Sequence, residues 1–240
     1  MRAVRRPAAR AGVRGQRGLS LTEMMVGLTI GLFITGAALM ATVNATGENR
    51  RLLLEARLLQ DLRATMDLVT RSLRRAGYWG NAQAGVRAVG DTAAQRGYEA
   101  TGYAVVPPAS DSATAVQFRV ASDADASADD DETLGFRLAT GSDGIGRVQV
   151  LLASAAAYQD LTDPAVTDVT EFTVEALPQA AVTLTCPTAC GTAPLPACPT
   201  IQVRQYRITM RAQAVSDAAV RRALQSTVRL RNDLLSGACP

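Results

Sequence analysis

Apolar and small residues fill positions 19–43, with one charge, Glu23, among them. The twenty residues from Met24 to Val43 carry no charge. As a helix they span roughly 30 Å, enough to cross the hydrocarbon core of a bilayer. Beyond them the pattern changes period without a strong turn signal. Leu52, Leu59, Leu62, Met66, Val69 and Leu73 fall on one stripe, spaced by three or four from Leu59 onward, while Arg57, Asp61, Arg63, Asp67, Arg71 and Arg74 occupy the other faces. This predicts an amphipathic helix that lays one side on a head domain. Gly77 supplies the stop signal. One helix over 19–76 would be roughly 87 Å long. Gly27 and Gly31 have the four-residue spacing of small-residue helix contacts, and Gly36 adds a point for bending.

The remaining 160 residues read mainly as β-structure. Strands are expected over 115–121, 133–139, 147–153, 169–176, 201–213 and 226–231, with polar and apolar positions alternating in Val116-Gln117-Phe118-Arg119-Val120 and Val228-Arg229-Leu230-Arg231. Gly141-Ser142-Asp143-Gly144-Ile145-Gly146 reads as a hairpin loop and lacks the phosphate-loop pattern. Leu161-Thr162-Asp163-Pro164 marks a turn, and no internal repeat is visible.

Composition narrows the chemistry. Aromatic residues make up 4% of the chain against 48% hydrophobic, so the core must come mainly from Val, Leu, Ile and Ala. There is no His, and all 25 basic residues are Arg. Imidazole bases, Ser-His and Cys-His pairs, His metal ligands, Schiff-base lysines and phosphate-loop lysines are therefore excluded. The net charge of +3 conceals an asymmetry: Arg2, Arg5, Arg6, Arg10, Arg14 and Arg17 precede Gly18 with no acid among them. The other 19 Arg face 22 acids, a net of −3, so the basic balance belongs to a leader and not to a nucleic-acid surface.

That leader should stay cytoplasmic, which exports the bulk of the chain. An ordinary secretory signal has an apolar region of about 7–15 residues ending in a small-x-small site, which fits poorly here. A plain anchor would explain the length and flanking charge but not Glu23, since an unpaired carboxylate at a helix centre in lipid costs at least ~2.5 kcal/mol.

Arg17-Gly18-Leu19-Ser20-Leu21-Thr22-Glu23-Met24-Met25 resembles the type III signal of type IV prepilins and type II secretion pseudopilins. The resemblance implies cleavage by prepilin peptidase between Gly18 and Leu19, N-methylation of Leu19, and a registry role for Glu23 opposite a neighbouring subunit's terminal amine. Two positions depart from the pattern: Leu19 stands where Phe is usual, and Thr22 where an aliphatic residue precedes the Glu. Arg74-Arg75-Ala76-Gly77-Tyr78-Trp79-Gly80 is similar to the helix end of PilW-type minor pilins, and residues 226–232 to that family's final strand. The resemblance covers the first 80 residues and, in the head, only strand order and the last strand.

Two clusters look like metal sites. The acidic run 123–132 has part of the EF-hand spacing at Asp123, Asp125 and Ser127, but Ala128 stands where Gly is required and Leu134 where the bidentate Glu should be. It reads as a solvated loop. Cys186, Cys190, Cys198 and Cys239 all follow the membrane segment, in an oxidising compartment, and their spacing is not that of a zinc finger. Two disulfides are expected, in any of three connectivities. Pro187, Pro194, Pro196 and Pro199 mark an irregular loop around them.

The expected fold is therefore α+β and pilin-like: a long N-terminal helix, half membrane-embedded and half amphipathic, packed on an antiparallel β-sheet head. Its parts are a cleaved basic leader (1–18), a transmembrane assembly helix (19–43), a stalk helix (44–76) and a periplasmic head (77–240) with a Cys-containing loop at 186–198. Trp79, the one Trp, is expected to plug stalk against head. No enzyme activity, cofactor, metal or nucleic-acid partner is expected. By resemblance the chain is a minor pilin that helps initiate a type IV pilus from the inner membrane and then joins the surface filament. Its implied partners are other minor pilins, the major pilin, prepilin peptidase, the assembly platform and a tip adhesin. The alternatives are a type II secretion pseudopilin and a membrane-anchored periplasmic binding protein.

Overall fold

The computed structural model describes residues 18, 20–80, 112–121, 132–152, 157–191, 198–236 and 239. The basic leader before Gly18, Leu19, the acidic run up to residue 131, and Pro194 and Pro196 lie outside them. The chain divides into two compact units, Met1–Arg50 and Arg51–Pro240.

Helix α1 spans Leu21–Arg74. Its sequence is rich in Leu, Ala, Met and Arg, all good helix formers. It carries Glu23 in the first turn and Arg71 and Arg74 in the last, each sign suited to the helix dipole at its end. Termination is local: Gly77 adopts φ 70°, a left-handed conformation that glycine takes without Cβ strain. In the first unit every described residue is exposed, including Met24, Leu28, Phe33, Ile34 and Met40.

Among the described residues the second unit contains three sheets. The first has the order β1–β3–β4–β5–β6, formed by β1 (Tyr78–Trp79), β3 (Ala115–Ala121), β4 (Thr133–Thr140), β5 (Gly146–Leu151) and β6 (Gln159–Asp160). Only its β1–β3 pair is parallel. The second runs β11–β10–β7–β2, formed by β11 (Asp217–Arg229), β10 (Gln205–Ala214), β7 (Thr167–Leu177) and β2 (Ser112–Ala113), and is antiparallel throughout. The third is small: β12 (Leu234–Ser236), β9 (Thr200–Gln202) and β8 (Val182–Thr183), also antiparallel.

One core joins α1 to the two larger sheets. Leu58, Leu62, Met66, Val69 and Leu73 come from the helix, Val116, Phe118, Phe136 and Val148 from the first sheet, and Phe172, Val174, Ile208, Met210 and Val228 from the second. The strand alternation is clean in β10, where Tyr206, Ile208, Met210, Ala212 and Ala214 point inward. On the other face Arg207 pairs with Glu175 and Arg211 with Glu171, cross-strand ion pairs in register.

The architecture is the expected α+β one, with differences of detail. The buried helix stripe runs through Leu58, not Leu59, and Leu52 is 61% exposed. Leu58, four residues before Leu62, is fully buried, while Leu59, three before it, is half-buried at the edge of the same face. The strand expected over 201–213 is two strands in different sheets. Arg204 interrupts it, its guanidinium donating to the Asn232 carbonyl. The last long strand begins at Asp217, well before residue 226, because a tight turn at Val215 and Ser216 folds β11 straight back on β10. Its first half, Asp217-Ala218-Ala219-Val220-Arg221-Arg222, lacks the apolar alternation that marks a strand in sequence.

Candidate functional site

The helix start is built by Ser20 and Glu23. Ser20 accepts the first helical bond, from the Met24 N–H, at 3.1 Å. Its own N–H donates to Glu23 Oε2 at 3.2 Å. Ser-x-x-Glu in this geometry is one half of a capping box, with the acid at the third helical position reaching back to the cap residue. The Ser20 hydroxyl contacts the Thr22 hydroxyl at 2.7 Å and not the backbone, so the reciprocal half is absent. The Ser-x-x-Glu spacing is the sequence signal of this cap. Gly18 is exposed, with open space where a Cβ would be.

Beyond the cap, α1 is long and apolar enough to cross a membrane, and none of its most apolar stretch is buried. Its hydroxyls serve themselves. Thr29, Thr35, Thr42 and Thr46 each donate to a carbonyl three or four residues back, at 2.7–2.9 Å. A helix in lipid must satisfy its polar groups internally, and these do.

At the other end of α1 the Gly77 N–H donates to the Arg119 carbonyl at 2.9 Å, and β1 then pairs in parallel with β3. Trp79 is 4% exposed and packs with Ala121 in a small cluster of its own. The Asn232 side chain donates to the Ala76 carbonyl, tying the helix end to the chain just before β12. Farther up the helix Glu55 pairs with Arg51 and with Arg222 of β11.

The hairpin between β4 and β5 holds no ligand geometry. Gly144 has φ 77°, and the Arg147 guanidinium lies between Asp143 and Asp160. The Ile145 N–H and Arg147 hold the Asp143 carboxyl below the usual carboxylate range. Gln149 and Arg147 do the same for Asp160. A shallow hollow of about 430 Å³ is lined by Thr170, Glu171, Arg211, Ala212 and Arg221 to Ala223. Of its charged side chains, Arg211 pairs with Glu171, Arg222 pairs with Glu55, and Arg221 donates to the Ala218 carbonyl.

The four cysteines form two disulfides, Cys186–Cys239 and Cys190–Cys198. In sheet order β12–β9–β8, Cys186 follows one edge strand and Cys239 follows the other, so the first bond fastens the two edges together. The Sγ atoms of Cys186, Cys190 and Cys198 lie within 4.8 Å of one another. Every sulfur is in a disulfide, so the cluster offers no thiolate to a metal.

A family model described as Prepilin peptidase-dependent protein B matches residues 51–230. A model of the prokaryotic N-terminal methylation motif matches residues 13–39. No curated protein and no solved structure matches the chain.

Proposed function

The chain belongs to the prepilin peptidase-dependent protein B family, and from this premise we propose that it is a prepilin cut after Gly18 and assembled as a minor pilin. The observation that carries the reading is a coincidence of position. The methylation-motif match ends inside the fully exposed apolar half of α1, and the family match begins where the helix first contributes to the head. Leu19 is then the mature, N-methylated first residue and Glu23 the fifth. The apolar helix holds the subunit in the inner membrane until the filament takes it up. The head is a structural module of a pilin-like family and not an enzyme. PilW-type membership, the finer reading, is supported by the Gly77-Tyr78-Trp79-Gly80 helix end.

N-terminal mass spectrometry of membrane and pilus fractions tests the processing. A start at Leu19 carrying a methyl group is expected; a start at Met1, or a cut beyond Val43, sinks the assignment. A type II secretion pseudopilin would be processed identically. Loss of surface pili with secretion intact, on deleting the gene, separates the two in favour of the pilus.

A further inference from the structure

We propose that the sulfur cluster is a thiol–disulfide exchange site, at which a thiolate from the Cys190–Cys198 pair displaces Cys239 from Cys186. The argument starts from distance. Cys186 Sγ lies within 4.8 Å of both Cys190 Sγ and Cys198 Sγ, although the two disulfides are separate bonds. A small side-chain rotation therefore brings an attacking sulfur onto Cys186. All three residues are partly exposed, so a dithiol reductant has access. The Cys190–Cys198 bond closes a short loop of sequence separation 8, while Cys186–Cys239 spans 53.

The steps balance. A dithiol reductant reduces Cys190–Cys198 and is itself oxidised to a disulfide. One of the freed thiolates attacks Cys186 Sγ, a new bond forms from Cys186 to Cys190 or Cys198, and Cys239 leaves as the thiolate. The second step transfers no net electrons. Its product keeps the 186–198 region cross-linked and frees the tail. β12 is then held by its three-residue pairing with β9 and by the Arg204 bonds to Asn232. The cluster thus converts reduction of a local loop into release of the C-terminus.

The test uses the full chain in detergent micelles. Cys190→Ser leaves Cys198 as a thiol beside an intact Cys186–Cys239 bond. Incubated at pH 8 without reductant, then acid-quenched and alkylated, this variant should carry part of its label on Cys239. Trypsin makes that visible, because cleavage after Arg231 puts Cys239 on a separate peptide. Incubation at pH 3 should leave the label on Cys198. An ordinary thiol's thiolate fraction falls about 100,000-fold between these conditions, and exchange falls with it. Label confined to Cys198 at both pH values, or found on Cys186, overturns the proposal. Should the variant misfold, the wild-type chain opened with limiting dithiol at pH 8 answers the same question. Single-disulfide species joining Cys186 to Cys190 or Cys198 support exchange; native pairs alone refute it.

Discussion

Replacing Glu23 by Gln and by Ala removes different things, and the contrast tests the proposed registry role. In the structure Glu23 Oε2 accepts the Ser20 N–H. Gln retains an oxygen for that bond, as capping boxes use Glu or Gln, whereas Ala does not. A capping contact is worth about 0.5–2 kcal/mol. A charge left unpaired in lipid costs at least ~2.5 kcal/mol at the helix centre and less toward the interface. The larger figure corresponds to about 70-fold in an equilibrium. If the carboxylate pairs with a neighbour's terminal amine, both variants lose that pairing alike. Both should accumulate normally and be cleaved after Gly18, since the substitutions remove a charge that lipid disfavours. Their incorporation into pili should fall together, by about 10- to 70-fold. Immunoblots report level and processing, and sheared pilus fractions report incorporation. Wild-type incorporation of the Gln variant with failure of the Ala variant would show that the cap, not the charge, matters. Full incorporation of both would remove Glu23 from assembly altogether.

Two further outcomes concern the head. Leu62 is fully buried between helix and sheets, so Leu62→Ala should destabilise the head by about 2–5 kcal/mol in denaturant titration while cleavage after Gly18 is unchanged; a loss under 1 kcal/mol (about a fivefold change in equilibrium) would contradict the packing described. Asp143 and Asp160 have lowered carboxyl pKa values beside Arg147, so the stabilisation they give is fully present above the unfolded value near ~3.9 and is lost as pH falls through the lower folded values. Arg147→Ala should therefore be less stable than wild type by a constant margin from neutral pH to about 4, with the margin closing below; a margin unchanged down to pH 2 would refute the linkage.

Much of this was legible because two periods sit side by side in one helix. An uninterrupted apolar run becomes a three-to-four stripe after residue 50, and each announces its own environment. The head was less legible for physical reasons. β10 is legible because Tyr206, Ile208 and Met210 alternate with polar residues, while the first half of β11 is not, because Ala218 and Ala219 carry little hydrophobic signal. The break at Arg204 escaped because it depends on a contact with Asn232, 28 residues away, which no local pattern records. The cysteine pairing was open for the same reason. Spacing allows three connectivities, and only the return of the tail beside β9 selects Cys239 for Cys186.

The disulfides sit where packing is thinnest, and this fixes what reduction should do. The core draws its side chains from α1 and the two larger sheets. Among the residues whose burial is described, the third sheet adds none to it: Val182 is 59% exposed, and β9 is only half-buried. Strands of two or three residues have too few hydrogen bonds to persist unaided. In a chain-entropy account the 53-residue loop constrains the unfolded chain by about 4 kcal/mol and the 8-residue loop by about 2.5 kcal/mol. The native chain should therefore have no labelable thiol, and full reduction should loosen the third sheet first. Hydrogen exchange checks this directly. After excess dithiol at pH 8, amides of β8, β9 and β12 should exchange faster, while those of Ile208 and Met210 in β10 stay protected. If β10 amides lose protection in parallel with β9, the third sheet and the core unfold as one unit, and the disulfides hold the whole head together and not only its periphery.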